Sequence, residues 1–263
     1  DERSVDLLRS ALLIARLDNE DFDLEAYLKK AERLANKIKS GFPEKASGEE
    51  KLRSLVSQLF QDMGFHGSTL DYNHRSNSYM NEVIDDREGL PITLSVLFIE
   101  LANRLDLPVS GLGLPGHFIA MYREPVPESS KKKAKEILID PFGGKIVSRK
   151  EAADLSGQSL GDEDFQPEPK REIIARMLRN LIRSAERDLD SKARLRYVDA
   201  LLAIEPTDNY VRAMRAMILY AEGQFARALE DINQLIEENP DGPEMAPLRE
   251  IRERLIEQIP SIP

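Results

Sequence analysis

The chain has no cysteine and no tryptophan. Without cysteine there is no disulfide framework, no zinc site built on thiolates and no thiol nucleophile. A long hydrophobic run is also missing. The longest apolar stretch, Ile92 to Leu101, is broken by Thr93, Ser95 and Glu100, whereas a bilayer span needs about 20 predominantly apolar residues, so no membrane partner is expected. Positive charge is scarce as well: 37 Lys and Arg stand against 47 Asp and Glu, a net charge of −10. Binding to a nucleic-acid backbone needs a concentrated basic face to release counterions, and this balance argues against it. The one basic cluster, Lys131-Lys132-Lys133-Ala134-Lys135, follows a segment with Pro125, Pro127, Ser129 and Ser130 and reads as an exposed hairpin loop. Asp1-Glu2-Arg3-Ser4 has neither the basic start nor the apolar core of a secretory signal, which leaves the cytoplasm as the default expectation. No cofactor is expected.

What is present is enough apolar residue, 41% of 263, to bury the cores of two modest domains. Val5, Leu7, Leu8, Leu12 and Ala15, then Leu24, Leu28, Ala31, Leu34 and Ile38, recur at helical spacing and predict two helices. A third is predicted over 49–63, with Gly64 in the place of a C-cap, and a short one over 78–85. The segment from Leu90 to Asp106 predicts the central helix of the first domain: it is apolar almost all round, and Pro91 sits at a first-turn position where a missing N–H costs nothing. Short apolar runs at 107–114, 117–122 and 136–140, separated by Pro, Gly or charged turns, predict strands of a small antiparallel sheet. The fold class is therefore α+β, a mainly helical core around a small antiparallel sheet.

Ser156 to Pro169, rich in Gly, Pro and acid, reads as a connection and divides the chain into domains 1–160 and 161–263. Beyond it the pattern is all-α. Pro206 and Pro240 lie 34 residues apart, the tetratricopeptide period, and Ala216, Tyr220, Gly223-Gln224-Phe225, Ala228, Ile232, Leu235 and Ile236 fit that repeat in register. A more degenerate repeat is predicted over 171–204, with a capping helix over 245–258.

One constellation carries chemistry. Helix start, His and Asp follow in the chain order of a papain-type triad, as Glu88-Gly89-Leu90-Pro91, Pro115-Gly116-His117-Phe118 and Ile139-Asp140-Pro141-Phe142. A thiolate at a helix N-terminus, a His to take its proton and an Asp to orient the His are what such a site needs. With Asn77-Ser78 and Leu105-Asp106-Leu107-Pro108 added, these motifs resemble the transglutaminase-like (papain-like) core, and more closely the SirB family, which joins that core to tetratricopeptide repeats. In transglutaminase-like enzymes the central helix opens Gly-X-Cys; the resemblance places Pro91 where the nucleophile stands, and matches His117 and Asp140 to the base and its orienting acid. It implies a fold and argues against an enzyme, so Pro91, His117 and Asp140 are relict positions and no catalytic residue is expected.

Substitutes for the thiol are poor. Thr93 lies about 200° round the helix and Ser95 about 6 Å along its axis, and a helical hydroxyl tends to bond back to the carbonyl four residues earlier. His117 and Asp140 read either as a retained site pair or as a buried pair kept because it satisfies its neighbours' hydrogen bonds, the second being favoured. His66 and His74 flank Asp71 with no regular metal motif, and read as surface histidines, so no metal is expected.

The expected function is a non-catalytic interaction or scaffold protein, with a protein or peptide partner held by the repeat region. Arg212 and Arg215 are candidates to read an acidic peptide, and Asn77, His117 and Asp140 candidates to line a relict pocket. The alternatives are a thiol-independent hydrolase or acyl-transferase using His117 and Asp140, and a small-ligand sensor built on that pocket.

Overall fold

The computed structural model describes residues 5–126, 134–238, 240, 242 and 245–258. Lys131 to Lys133 of the basic cluster, and with them the predicted hairpin loop, lie outside the described residues. The chain divides into two compact units, 1–177 and 178–263. This division falls later than the Ser156–Pro169 connection, inside helix α7 (Lys170–Arg187). The reason lies in the first turns of that helix: Lys170 Nζ donates to the Val5 carbonyl at 2.7 Å, and Ile173, 1% exposed, packs against Gly111.

In the first unit, helices α1 (Leu7–Ala15) and α2 (Leu24–Ser40) begin at Asp6 and Asp23, whose carboxylates accept from backbone N–H groups of the first turn. Helix α3 (Gly48–Val56) starts from a capping box between Ser47 and Glu50. The predicted helix over 49–63 does not stay α: Ser57–Asp62 forms a turn of π-helix, sealed by a Met63 N–H to Gln58 carbonyl bond of 2.8 Å. Gly64, at φ +76°, then ends it as a left-handed C-cap. After α4 (Met80–Asp86) comes α5 (Pro91–Arg104), with eleven of its fourteen residues buried. Burial pushes the pKa of Glu100 on α5 upward, and the nearby charge of Asp6 adds to the shift.

Two-residue strands β1 (His66–Gly67) and β2 (Glu88–Gly89) pair in parallel. A four-stranded antiparallel sheet follows in simple order: β3 (Val109–Leu114), β4 (His117–Arg123), β5 (Glu136–Asp140) and β6 (Lys145–Val147). Leu112, Leu114, Ile119, Met121, Leu138 and Val147 form one apolar cluster with Phe165 and with Ala152 of α6 (Arg149–Ser156). Phe118, Ala120 and Tyr122, on the alternate positions of β4, are buried too, so the sheet is covered on both faces, and α5 packs on β3 and β4. Neither β6 nor α6 is predicted by the apolar pattern alone. The capping box from Ser148 to Glu151 was the available signal for α6.

The second unit contains α8 (Ser191–Ile204), α9 (Asn209–Ala221), α10 (Phe225–Glu238) and α11 (Met245–Gln258), each packed on the next. Ala216, Leu219, Ala228, Ile232, Ile236 and Leu255 form its apolar core. Gly223, at φ +71°, makes the turn between α9 and α10 that its place in the sequence pattern suggests. Among the described residues no helix is long and apolar enough to cross a membrane.

Candidate functional site

Pro91 is the first residue of α5. Leu90 before it is extended (φ −78°, ψ 163°), the conformation a following proline imposes. Thr93 closes the first turn: its Oγ1 accepts the Leu90 N–H at 2.9 Å and donates to the Asn77 carbonyl at 2.8 Å. Asn77 lies in a 3-10 turn, is 5% exposed, and gives its side-chain amide to the Asp71 carbonyl at 2.8 Å. Its backbone carbonyl therefore braces the start of α5, while its side-chain nitrogen ties it to the loop at Asp71. Ser95, fully buried, donates to the Phe118 carbonyl at 3.2 Å. A helical hydroxyl tends to bond back along its own helix; here the strand carbonyl wins because α5 lies directly on β4.

That contact also locates the helix start. Ser95 is one turn above Pro91 and bonds the residue after His117, so the opening of α5 lies beside the opening of β4. A second tie runs through β1. The Gly67 N–H donates to the Phe142 carbonyl at 3.2 Å and the Ser68 N–H to the Gly89 carbonyl at 3.0 Å, which couples the loop after Asp140 to the loop before Pro91. Residues 117, 140 and 91 are thus gathered at one end of the sheet.

His117 begins β4 after a turn with Gly116 at φ +68°, and Asp140 ends β5. The register pairs Ala120 with Ile139; continued by one residue it sets Asp140 opposite Ile119, and His117, two residues on, is its diagonal neighbour on the same face. His117 Nε2 and Asp140 Oδ1 are 3.0 Å apart, with the side chains 10% and 2% exposed. The Phe142 N–H donates to the same oxygen at 3.1 Å. Asp140 Oδ2 faces Gly143, where an added Cβ would come within 2.5 Å of it. Phe142 meets the His117 ring edge to face at 6.1 Å and Tyr72 at 6.0 Å, and it fills the space above Gly67. Gly67 and Gly143 were missed as site residues in the sequence. The Gly143-Gly144 pair is a turn signal that could have pointed to one of them.

The remaining candidates lie elsewhere. His66 and His74 are exposed; His74 Nδ1 bonds the Ser76 hydroxyl at 2.7 Å, and no group of ligating side chains among the described residues could hold a metal ion. In the second unit Arg215 forks onto Asp231 at 2.8 and 2.6 Å and reaches Asp199 at 3.0 Å, contacts that push its pKa further up. Arg212, 7% exposed, bonds the Pro206 carbonyl and stands 3.8 Å from Asp231. Arg212 is buried and Arg215 is held by two carboxylates within the unit, so the charge of each is answered there rather than offered to a peptide. The exposed feature of this unit is apolar: a groove of about 650 Å³ whose lining includes Leu189, Tyr210, Met214 and Met217. Leu189 is 91% exposed and Tyr210 76%.

The Transglutaminase-like superfamily profile, Transglut_core2, matches residues 25–179. A UPF0162 protein of Xylella fastidiosa (strain Temecula1 / ATCC 700964) is 30% identical over 251 residues, covering 91% of this chain and 86% of that protein. The UPF0162 protein YchA of Escherichia coli (strain K12) is 27% identical over 244 residues, 90% of this chain and 88% of its own length. Human F-box only protein 21 is 27% identical over 169 residues, 63% of this chain and 27% of that protein. No solved structure matches the chain. The profile match spans the α5 start, the sheet and both members of the His–Asp pair, and with it the chain belongs to the transglutaminase-like superfamily, as a homologue of the UPF0162 proteins.

Proposed function

We propose that this chain is a non-catalytic member of its superfamily, a pseudoenzyme of SirB type that acts by binding a protein partner. The observation that carries the reading is the first turn of α5. Pro91 occupies its first position, and the two hydroxyls that follow, Thr93 and Ser95, are buried and donate to the Asn77 and Phe118 carbonyls. A hydroxyl so committed is no nucleophile, because activating it means surrendering a buried hydrogen bond. In this reading His117 and Asp140 serve as a structural pair that closes the end of the sheet.

Helices α8 to α10 act as tetratricopeptide-type repeats, supported by the 34-residue proline spacing and the buried Ala216, Ala228, Ile232 and Leu235. The partner element that suits the apolar groove is an amphipathic helix with apolar residues one turn apart. Met214 and Met217 offer an adaptable surface of that kind, and no unpaired cation of Arg212 or Arg215 is left for an acidic peptide. Two measurements test the proposal together. Proteins retained by the immobilised wild type should be lost with Met217→Glu, a change at a side chain that is half exposed; equal retention by both refutes the groove. Turnover of amide, ester and isopeptide substrates should be the same for wild type and His117→Ala.

A second reading is favoured by one distance, the 3.0 Å His117–Asp140 contact, which is the geometry of a base with an oriented tautomer. It makes the protein a hydrolase with water as nucleophile. Turnover that disappears in His117→Ala would select it over the first.

A further inference from the structure

The first unit has a cleft of about 390 Å³ between α2, α4 and the π-turn, and its lining shares no residue with the His–Asp pair. Its rim carries Lys30, Arg33, Lys37 and Arg87 against Asp62 and Asp85, in a chain whose net charge is −10. Lys30 and Asp85 neutralise each other at 2.5 Å. Arg33 and Lys37 are exposed and form no ion pair with any described residue, although they stand one turn apart on the face of α2 where like charges repel. Arg87 completes the rim from the other side. It holds a left-handed backbone (φ 62°, ψ 20°) that a residue with a Cβ adopts at a cost, and it anchors Nη1 on the Met63 carbonyl at 2.8 Å, leaving its other nitrogens for the cleft.

The floor is apolar, made by Leu34, Met63 and Ile84. One of the walls is unusual for a fold that needed only to pack. The π-turn at Ser57–Asp62 delivers the Met63 carbonyl to Arg87, and such turns recur at functional sites. A volume of this size is that of a small-molecule site, where an apolar body is buried and a few polar groups fix its orientation.

We infer that this cleft binds a small organic anion, with its oxyanion head between Arg33, Lys37 and Arg87 and its apolar body on Leu34, Met63 and Ile84. The head is a carboxylate or a phosphate, since guanidinium and ammonium groups recognise both. Its lining shares no residue with the groove of the second unit.

Calorimetric titration of the full chain tests it with phenyl phosphate and benzoate, which distinguish the two heads. Inorganic phosphate supplies the head alone and benzyl alcohol the body alone. The expected result is saturable binding of at least one of the two amphiphilic anions, weaker binding of either fragment, and an affinity that falls with ionic strength. Arg33→Gln and Lys37→Gln should each weaken binding about tenfold. Both positions are exposed and unpaired, so these variants keep the fold. Saturable binding of neither anion, or binding that survives the double substitution, overturns the inference.

Discussion

If His117 and Asp140 form a structural pair, their energies must be coupled, and the geometry sets the size of the coupling. Asp140 Oδ1 accepts from His117 at 3.0 Å and from the Phe142 N–H at 3.1 Å, and the carboxylate is almost fully buried. A hydrogen bond to a charged group contributes about 1.5–3 kcal/mol, so Asp140→Ala, which removes both, should cost about 3–5 kcal/mol, the range for breaking a buried pair. His117→Ala removes one of the two and the edge-to-face contact with Phe142, at about 2–3 kcal/mol. In the double variant the His117 bond is counted once rather than twice, so its cost should fall short of the sum by about 1.5–3 kcal/mol. Urea denaturation of the four proteins, followed by circular dichroism, measures the cycle. Hydrogen exchange of β4 and β5 amides assigns the transition to this unit. Additivity within about 0.5 kcal/mol would refute the coupling and with it the structural role of the pair.

Gly143→Ala would drive a methyl against Asp140 Oδ2 and should cost about 1–3 kcal/mol; the loss should shrink when Asp140→Ala is present, as thermal denaturation of the pair of variants would register. Glu100→Gln should raise stability at pH 7. The folded carboxyl titrates above its unfolded value, so wild-type stability is lost as pH rises through that window, and the gain of the variant should vanish once pH is below both values. A pH series of melting temperatures decides this, and a gain that is constant with pH would count against it. Arg215→Ala takes the two-nitrogen fork from Asp231, which is 3% exposed and keeps Arg212 at 3.8 Å, and should destabilise the second unit by about 1.5–3 kcal/mol; a fully stable variant would make Arg215 a partner-binding candidate again.

The motifs around Pro91, His117 and Asp140 could be read from the sequence because each sits on a strongly patterned element: α5 is apolar all round, and β4 and β5 are short apolar runs bounded by turns. The diagonal placement of His117 beside Asp140 follows from strand register, which the motif order alone does not specify. The role of Asn77 was hidden because it depends on a carbonyl sixteen residues from Thr93. Arg212 and Arg215 misled for a similar reason. Their partners Asp199 and Asp231 lie on neighbouring helices, and a helical face read in isolation does not show which charges meet across it. The π-turn leaves almost no trace in composition, because Ser57–Asp62 carries residues that suit an ordinary helix.

That turn makes chain length, as much as residue identity, decide the geometry at one wall of the first unit. An α-helix rotates by about 100° for each residue. Removing any one residue between Ser57 and Asp62 would let the regular ladder run on while swinging the Met63 carbonyl away from Arg87, which it now meets at 2.8 Å. Among related chains, a one-residue gap at this point would therefore signal a changed cleft even where every neighbouring side chain is the same.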